Sequence, residues 1–306
     1  MKNGNYNNKS TTEKLFYFFC ICLLGKIVFS GLSYYISLWI LNVDLASLTQ
    51  LDGFNNSTIR AYKIAALLDQ LGTFLIPSAT FCWLFISRPN QLLNFHELEL
   101  TSLYTLPFIF IIMVISSSFL LELNHNIDFS FLGEKTMTLI KDNQQMMDQL
   151  HYSFIGTTNK SLIFNFFLMA LLPAICEEIV FRGILQSLFA KWSKNIHLGI
   201  LLSALVFALL HFQFYNIIPL LLLGTLLGYT MAMTKNIWST ILLHFTYNSF
   251  SIISIYYEKK EIQFDQVVNR DNSYFNLIAL FISILLLFFI WRKNNHFMKT
   301  KQNYLA

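Results

Sequence analysis

The sequence predicts an all-α fold, a polytopic membrane helix bundle of about eight transmembrane helices. Three observations carry that prediction. Of the 306 residues 55% are hydrophobic and only 12% are charged, against roughly 25% charged in a soluble domain. Apolar stretches of about 20 residues, the length that crosses a bilayer, recur at 15–41, 64–87, 103–123, 161–185, 197–212, 215–234, 237–256 and 274–291. The four cysteines, Cys20, Cys22, Cys82 and Cys176, all fall inside those stretches without CxxC spacing, as small apolar residues do. Such a chain has the lipid bilayer as its partner and nucleic acid as none.

The elements follow in order. Residues 1–14 form a polar cytoplasmic tail, and its first dozen residues read as disordered. The N-terminal transmembrane helices fill 15–123. The first span is long and contains Lys26, so it tilts or extends past the interface. Lys14 followed by Leu15–Gly25 has the look of a cleavable signal. The apolar character resumes after Lys26 and no small-residue cleavage site follows, so the stretch reads as a retained span. Ser87-Arg88-Pro89-Asn90 reads as a turn. Residues 124–160 form the longest connection. Within it Glu134–Leu150 carries Leu139, Ile140, Met146, Met147 and Leu150 at near-helical spacing, which predicts an amphipathic helix, on the membrane surface or packed on the bundle. The core spans 161–256, and 257–306 hold a polar loop, the last helix and a basic cytoplasmic tail.

An even number of spans puts both termini on one side of the membrane. That side carries Lys2, Lys9, Lys14, Arg88, Lys191, Lys194, Lys235, Arg292, Lys293, Lys299 and Lys301. The other carries Arg60, Lys63, Lys135, Lys141, Lys160, Lys259, Lys260 and Arg270. The excess marks the first side, with both termini, as cytoplasmic.

The core contains an energetic oddity. Glu177, Glu178 and Arg182 sit in an otherwise uncharged run from Ser161 to Phe189, and each charge at the centre of a membrane helix costs a few kcal/mol. Glu178 and Arg182 are four residues apart and share a helix face, so they can pair. Glu177 is turned about 100° away and is free to react. Pro173, four residues earlier, kinks the helix or opens space beside it.

Two histidines lie in spans with polar company, in Phe207-Ala-Leu-Leu-His211 and His244-Phe-Thr-Tyr-Asn248. His96, His125, His151, His197 and His296 lie in loops or at span ends and read as solvated. Spans 4 and 5 form a hairpin about Lys194, from which Glu177 and His211 are equally distant in sequence. At 1.5 Å per residue both lie roughly 25 Å from the turn. His244 lies about 14 Å deep on span 7. The levels meet if the hairpin of spans 4 and 5 protrudes by two turns, so that Glu177, His211, His244 and Asn248 can converge. Such a set either ligates a metal such as zinc through Glu177, His211 and His244, leaving a position for water, or uses the carboxylate as general base on a water held by histidine. Asn248 offers an amide donor to an oxyanion. Alone, each residue is as easily a helix–helix hydrogen-bond partner.

Glu177-Glu178-x-x-x-Arg182, Phe207-x-x-x-His211 and His244-x-x-x-Asn248, in this order on successive spans, resemble the motifs of the CAAX prenyl protease and bacteriocin-processing (CPBP or Abi) family of intramembrane proteases. The resemblance covers residues 160–256. It implies that Glu177 activates water with help from His211, that His244 and Asn248 stabilise the oxyanion, and that Glu178 and Arg182 hold the helix, with Phe207 in support. It implies a peptide or membrane-protein substrate, a metalloprotease label, and, for a chain of this composition, a bacterial cytoplasmic membrane. Bacterial relatives serve peptide maturation, bacteriocin self-immunity and surface-protein display. Two alternatives stand beside it: a non-catalytic immunity or scaffold protein on the same fold, and a transporter using the polar cluster as a relay.

Elsewhere, Lys26 and Asp69 are also intramembrane charges. Lys26 lies about 11 residues from one flank and Asp69 about six from Lys63 on the other, so they are expected at different depths, with Asp69 snorkelling or meeting Lys63. Gly224 and Gly228 make a Gly-x-x-x-Gly pair, expected to pack within the bundle rather than in a dimer.

Overall fold

Apolar runs become helices where a side chain can start them. In the computed structural model Ser10, Asn55, Thr158, Asn195 and Asn236 each accept a backbone N–H from the first turn of a helix, which removes one of the unmet donors there. The structure describes residues 4–43, 55–95, 100–125 and 133–260, with 127, 131 and 285. Among these residues all regular structure is helical. The helices are α1 (Thr11–Ile40), α2 (Asn56–Phe85), α3 (Pro89–Leu93), α4 (Leu100–His125), α5 (Glu134–Phe154), α6 (Asn159–Ser193), α7 (Ile196–Leu210), α8 (Ile217–Thr234) and α9 (Ile237–Lys259).

Five segments among the described residues are long and apolar enough to cross a membrane: Thr11–Ile40, Asn56–Phe85, Tyr104–Asn124, Asn159–Ser193 and Phe214–Thr234. α7 is apolar but shorter, as the brief fifth run predicts, and α9 follows the seventh. A polytopic helical bundle fits. The eighth expected span and the basic tail lie outside the described residues, except for Leu285.

Phenylalanine builds the centre. Phe18 of α1, Phe81 of α2, Phe181 of α6 and Phe207 of α7 are buried in one cluster with Ile109 and Met113 of α4, Leu226 of α8 and Leu243 of α9. Phe181 and Phe207 meet edge to face, with ring centroids 5.1 Å apart. They are equidistant in sequence from Lys194, so the α6–α7 hairpin has the register that its turn predicts. Close approach of the next pair depends on glycine. A Cβ on Gly224 would lie 2.9 Å from Ala204 Cβ, and one on Gly228 would lie 2.7 Å from Ile200. The Gly-x-x-x-Gly face thus packs inside the bundle, against α7.

Three helices widen locally into π-helical turns, at Ile36–Ile40, Gln70–Leu75, Phe166–Leu171 and Ile179–Leu185. In α2 and α6 the pattern repeats: a π stretch ends two residues before a proline, Pro77 and Pro173 respectively. Proline has no N–H to give to the preceding turn, and a wide turn absorbs that missing bond.

Several expectations are corrected. The N-terminal tail is ordered from Gly4: Gly4 N–H and Tyr6 N–H donate to Trp83 O and Leu84 O at 2.9 Å, and the Tyr6 ring packs on Phe85. Polar residues are held here because α2 ends with open carbonyls that need donors. Ser87–Asn90 does not merely turn. Pro89 starts the short α3, as its fixed φ favours at a first helical position. α5 runs from Glu134 to Phe154 and buries Ile140, Leu150 and Phe154 against the bundle.

Lys26 and Asp69 form an ion pair, and Thr73 Oγ1 also donates to Asp69 Oδ1 at 2.7 Å. The depth estimate misjudged where the helices begin. α1 and α2 are each 30 residues long, and Lys26 and Asp69 lie near their midpoints. Lys63 lies within α2, where it donates to Phe154 O.

Candidate active site

α6 delivers the cluster. Its second π stretch starts directly after Glu177 and Glu178, so the backbone is widened where the side chains crowd inward. Arg182 is 2% exposed, Glu178 0% and His244 2%, whereas Glu177 retains 7%. Glu177 is thus the less deeply buried of the two carboxylates.

Glu178 holds two partners through one oxygen. His244 Nδ1 donates to Glu178 Oε1 at 2.8 Å. Arg182 Nη1 lies 2.9 Å from the same oxygen, off the direction of a hydrogen bond, and Arg182 Nη2 donates to Gly224 O at 3.2 Å. The guanidinium also stands over the Phe207 ring, 5.0 Å from its centroid, as a cation–π contact. One turn on, Gln186 Nε2 donates to Gly228 O at 3.1 Å. Arg182 and Gln186 therefore read the two carbonyls of the Gly-x-x-x-Gly face in step. The predicted Glu178–Arg182 brace is present, and the sequence reading missed that Glu178 also orients His244.

Once its Nδ1 is fixed on Glu178, His244 turns Nε2 toward Glu177, 4.0 Å from Oε2. That is too far for a hydrogen bond, and a water set to one side can reach both atoms. The other oxygen, Glu177 Oε1, accepts from Gln70 Nε2 of α2 at 3.1 Å. Asn248 lies one turn beyond His244, half-buried, and makes no side-chain hydrogen bond among the described residues.

His211 caps α7. Its Nδ1 lies 2.8 Å from Phe207 O. A carbonyl only accepts, so Nδ1 carries a proton and Nε2 is the nitrogen turned away from the helix backbone. The His211 ring packs on Phe207 with centroids 4.6 Å apart, and Phe207 is 6.1 Å from His244. His211 thus joins the cluster through Phe207 and makes no ion pair with Glu177 among the described residues. Nor, among those residues, do three or more His, Cys, Asp or Glu side chains group to hold a metal ion.

Residues 159–250 match a family model described as Rce1-like: Type II CAAX prenyl endopeptidase Rce1-like. These residues form an Rce1-like domain. This is the CAAX protease family whose motifs the sequence resembles, and the match supports, in general terms, a CAAX-type intramembrane endopeptidase domain. No curated protein and no solved structure gives a significant match to the chain. The Rce1-like domain contains all three motifs, and the helices before it supply Gln70. Gln70 and Gln186 were missed in the sequence. Their signal was present, an amide beside Asp69 in an apolar run and an amide four residues after Arg182, but glutamine carries no charge to raise the alarm.

Proposed function

We propose that the chain hydrolyses a peptide bond of a membrane-associated or peptide substrate at Glu177, in a cavity open to the cytoplasm of a bacterial membrane. The observation that carries this is the Glu177–His244 pair: a carboxylate facing an imidazole nitrogen across a 4.0 Å gap that suits a water. Glu177 Oε2 takes a proton from the water as its oxygen attacks the carbonyl carbon. The carbonyl oxygen becomes an oxyanion, which His244 Nε2–H and the Asn248 amide can stabilise. When the tetrahedral intermediate collapses the C–N bond breaks, and the proton on Glu177 passes to the leaving amine. His244 donates in both directions, to Glu178 through Nδ1 and to the oxyanion through Nε2. The Nε2 lone pair of His211 serves as a further acceptor for the water or the leaving amine.

The test is Glu177→Gln in the full chain, purified in detergent and assayed on a prenylated CAAX peptide, together with comparative peptidomics of membranes carrying Glu177→Ala or the natural protein. Losing a general base costs about 10²- to 10⁴-fold, and losing the Asn248 donor about 10²- to 10³-fold. Precursors that accumulate with Glu177→Ala name the substrate. Unchanged cleavage and unchanged peptides, with normal membrane levels, would overturn the reading in favour of a non-catalytic protein.

A further inference from the structure

We infer that Gln70, on α2 and outside the Rce1-like domain, is the positioning residue for Glu177. This deepens the proposed function and rests on it only for the consequence, not for the contact. Three features of the structure carry it. Gln70 Nε2 donates to Glu177 Oε1 at 3.1 Å, and a carboxylate can only accept, so the orientation of the amide is fixed by chemistry. Gln70 is the first residue of the π stretch Gln70–Leu75, where the widened turn displaces a side chain from its regular helical direction. Its own Oε1 is buried without a hydrogen-bond partner. A buried amide half left unmet is costly, so the side chain is held by what its other half does.

The consequence is a division of labour between the two oxygens of Glu177. Gln70 occupies Oε1, and Oε2 is left facing His244. A carboxylate free to spin about its last torsion presents either oxygen to the water. One pinned by Gln70 presents Oε2 alone, at the nitrogen that Glu178 has already aimed. The charged and titratable groups around Glu177 are Glu178 and Arg182 on α6, His244 on α9, and Cys176 and Asp69 beside the two partners in sequence. Among the described residues Gln70 is the uncharged donor of the set.

Carbodiimide labelling reads this without a substrate, because dicyclohexylcarbodiimide attacks carboxyl groups in apolar surroundings through their protonated form. The full chain in detergent is labelled at neutral pH, and the adduct on Glu177 is followed by mass spectrometry, with Glu178 as internal reference. Gln70→Leu, of similar size and without the donor, is expected to label Glu177 about tenfold faster, since a hydrogen bond to a charged group is worth at least that ratio. Glu178 is expected to keep its rate. Gln70→Met is the second variant should leucine fail to fold, and thermal unfolding verifies either. Unchanged Glu177 labelling in both apolar variants, or equal acceleration at Glu178, overturns the inference. Cleavage by Glu177→Gln would overturn the proposed chemistry while leaving this contact standing.

Discussion

A guanidinium buried in a membrane bundle persists only where each of its sides meets something. Arg182 meets Glu178, the Gly224 carbonyl and the Phe207 face. Removing one partner of such a buried pair leaves an uncompensated charge, at about 3–5 kcal/mol. Arg182→Ala is therefore expected to lower the thermal unfolding midpoint and the membrane level together. Arg182→Lys cannot span Glu178 and Gly224 at once, so it is expected to rescue only part of the loss. Glu178→Gln is expected to keep the fold better than it keeps activity, because it leaves a polar atom beside Arg182 but frees His244 from its charged anchor. Detergent thermal unfolding and peptide cleavage, measured side by side, separate the two effects. At this scale the motifs were legible because charges in an apolar run are conspicuous. Which carboxylate oxygen faces which nitrogen was not, since that depends on torsions set by α2 and α9.

Two joints between helices are built alike. At Lys194-Asn195 and at Lys235-Asn236 the lysine adopts the left-handed conformation, φ 55° and 52°, and the asparagine caps the next helix. Lysine pays about 1 kcal/mol or more for that backbone, and the asparagine cap returns about the same. Asn195→Ala is expected to destabilise by about 1 kcal/mol. Lys194→Gly, free of the Cβ clash, is expected to raise the unfolding midpoint. Gly199 seals the first joint: a Cβ there would stand 2.7 Å from the backbone N of Ala190. Gly199→Ala is expected to cost about 1–3 kcal/mol as overpacking. The hairpin was readable from Lys194 as a polar break, and its register followed by counting. The π turns before Pro77 and Pro173 were not readable, because a wide turn and an ordinary proline kink leave the same mark in the sequence.

The molecule has two charged ends. Lys14 lies beside Lys191, and residues 4–6 pair with Trp83 and Leu84. At the opposite end Lys63 lies beside Lys259 and donates to Phe154 O. The lysines thus gather at the ends as the loop count requires, and the first end is proposed to be cytoplasmic. In a background without native cysteines, Lys191→Cys is expected to react with a membrane-impermeant maleimide only from the cytoplasmic side, and Lys160→Cys only from the other. The reverse pattern would invert the molecule in the membrane.

By itself the sequence determined the bundle, the order of the spans, the α6–α7 hairpin and the charged cluster within it. Those features depend on hydropathy, helical period and spacing along one chain, and all three are local. Only the tertiary structure decided that Lys26 meets Asp69, that Glu178 serves His244 as well as Arg182, and that Gln70 reaches Glu177 across 107 residues. Each of these is set by where one helix begins and how it turns against another. A long helix with a π turn moves a side chain by a register that no count of residues supplies.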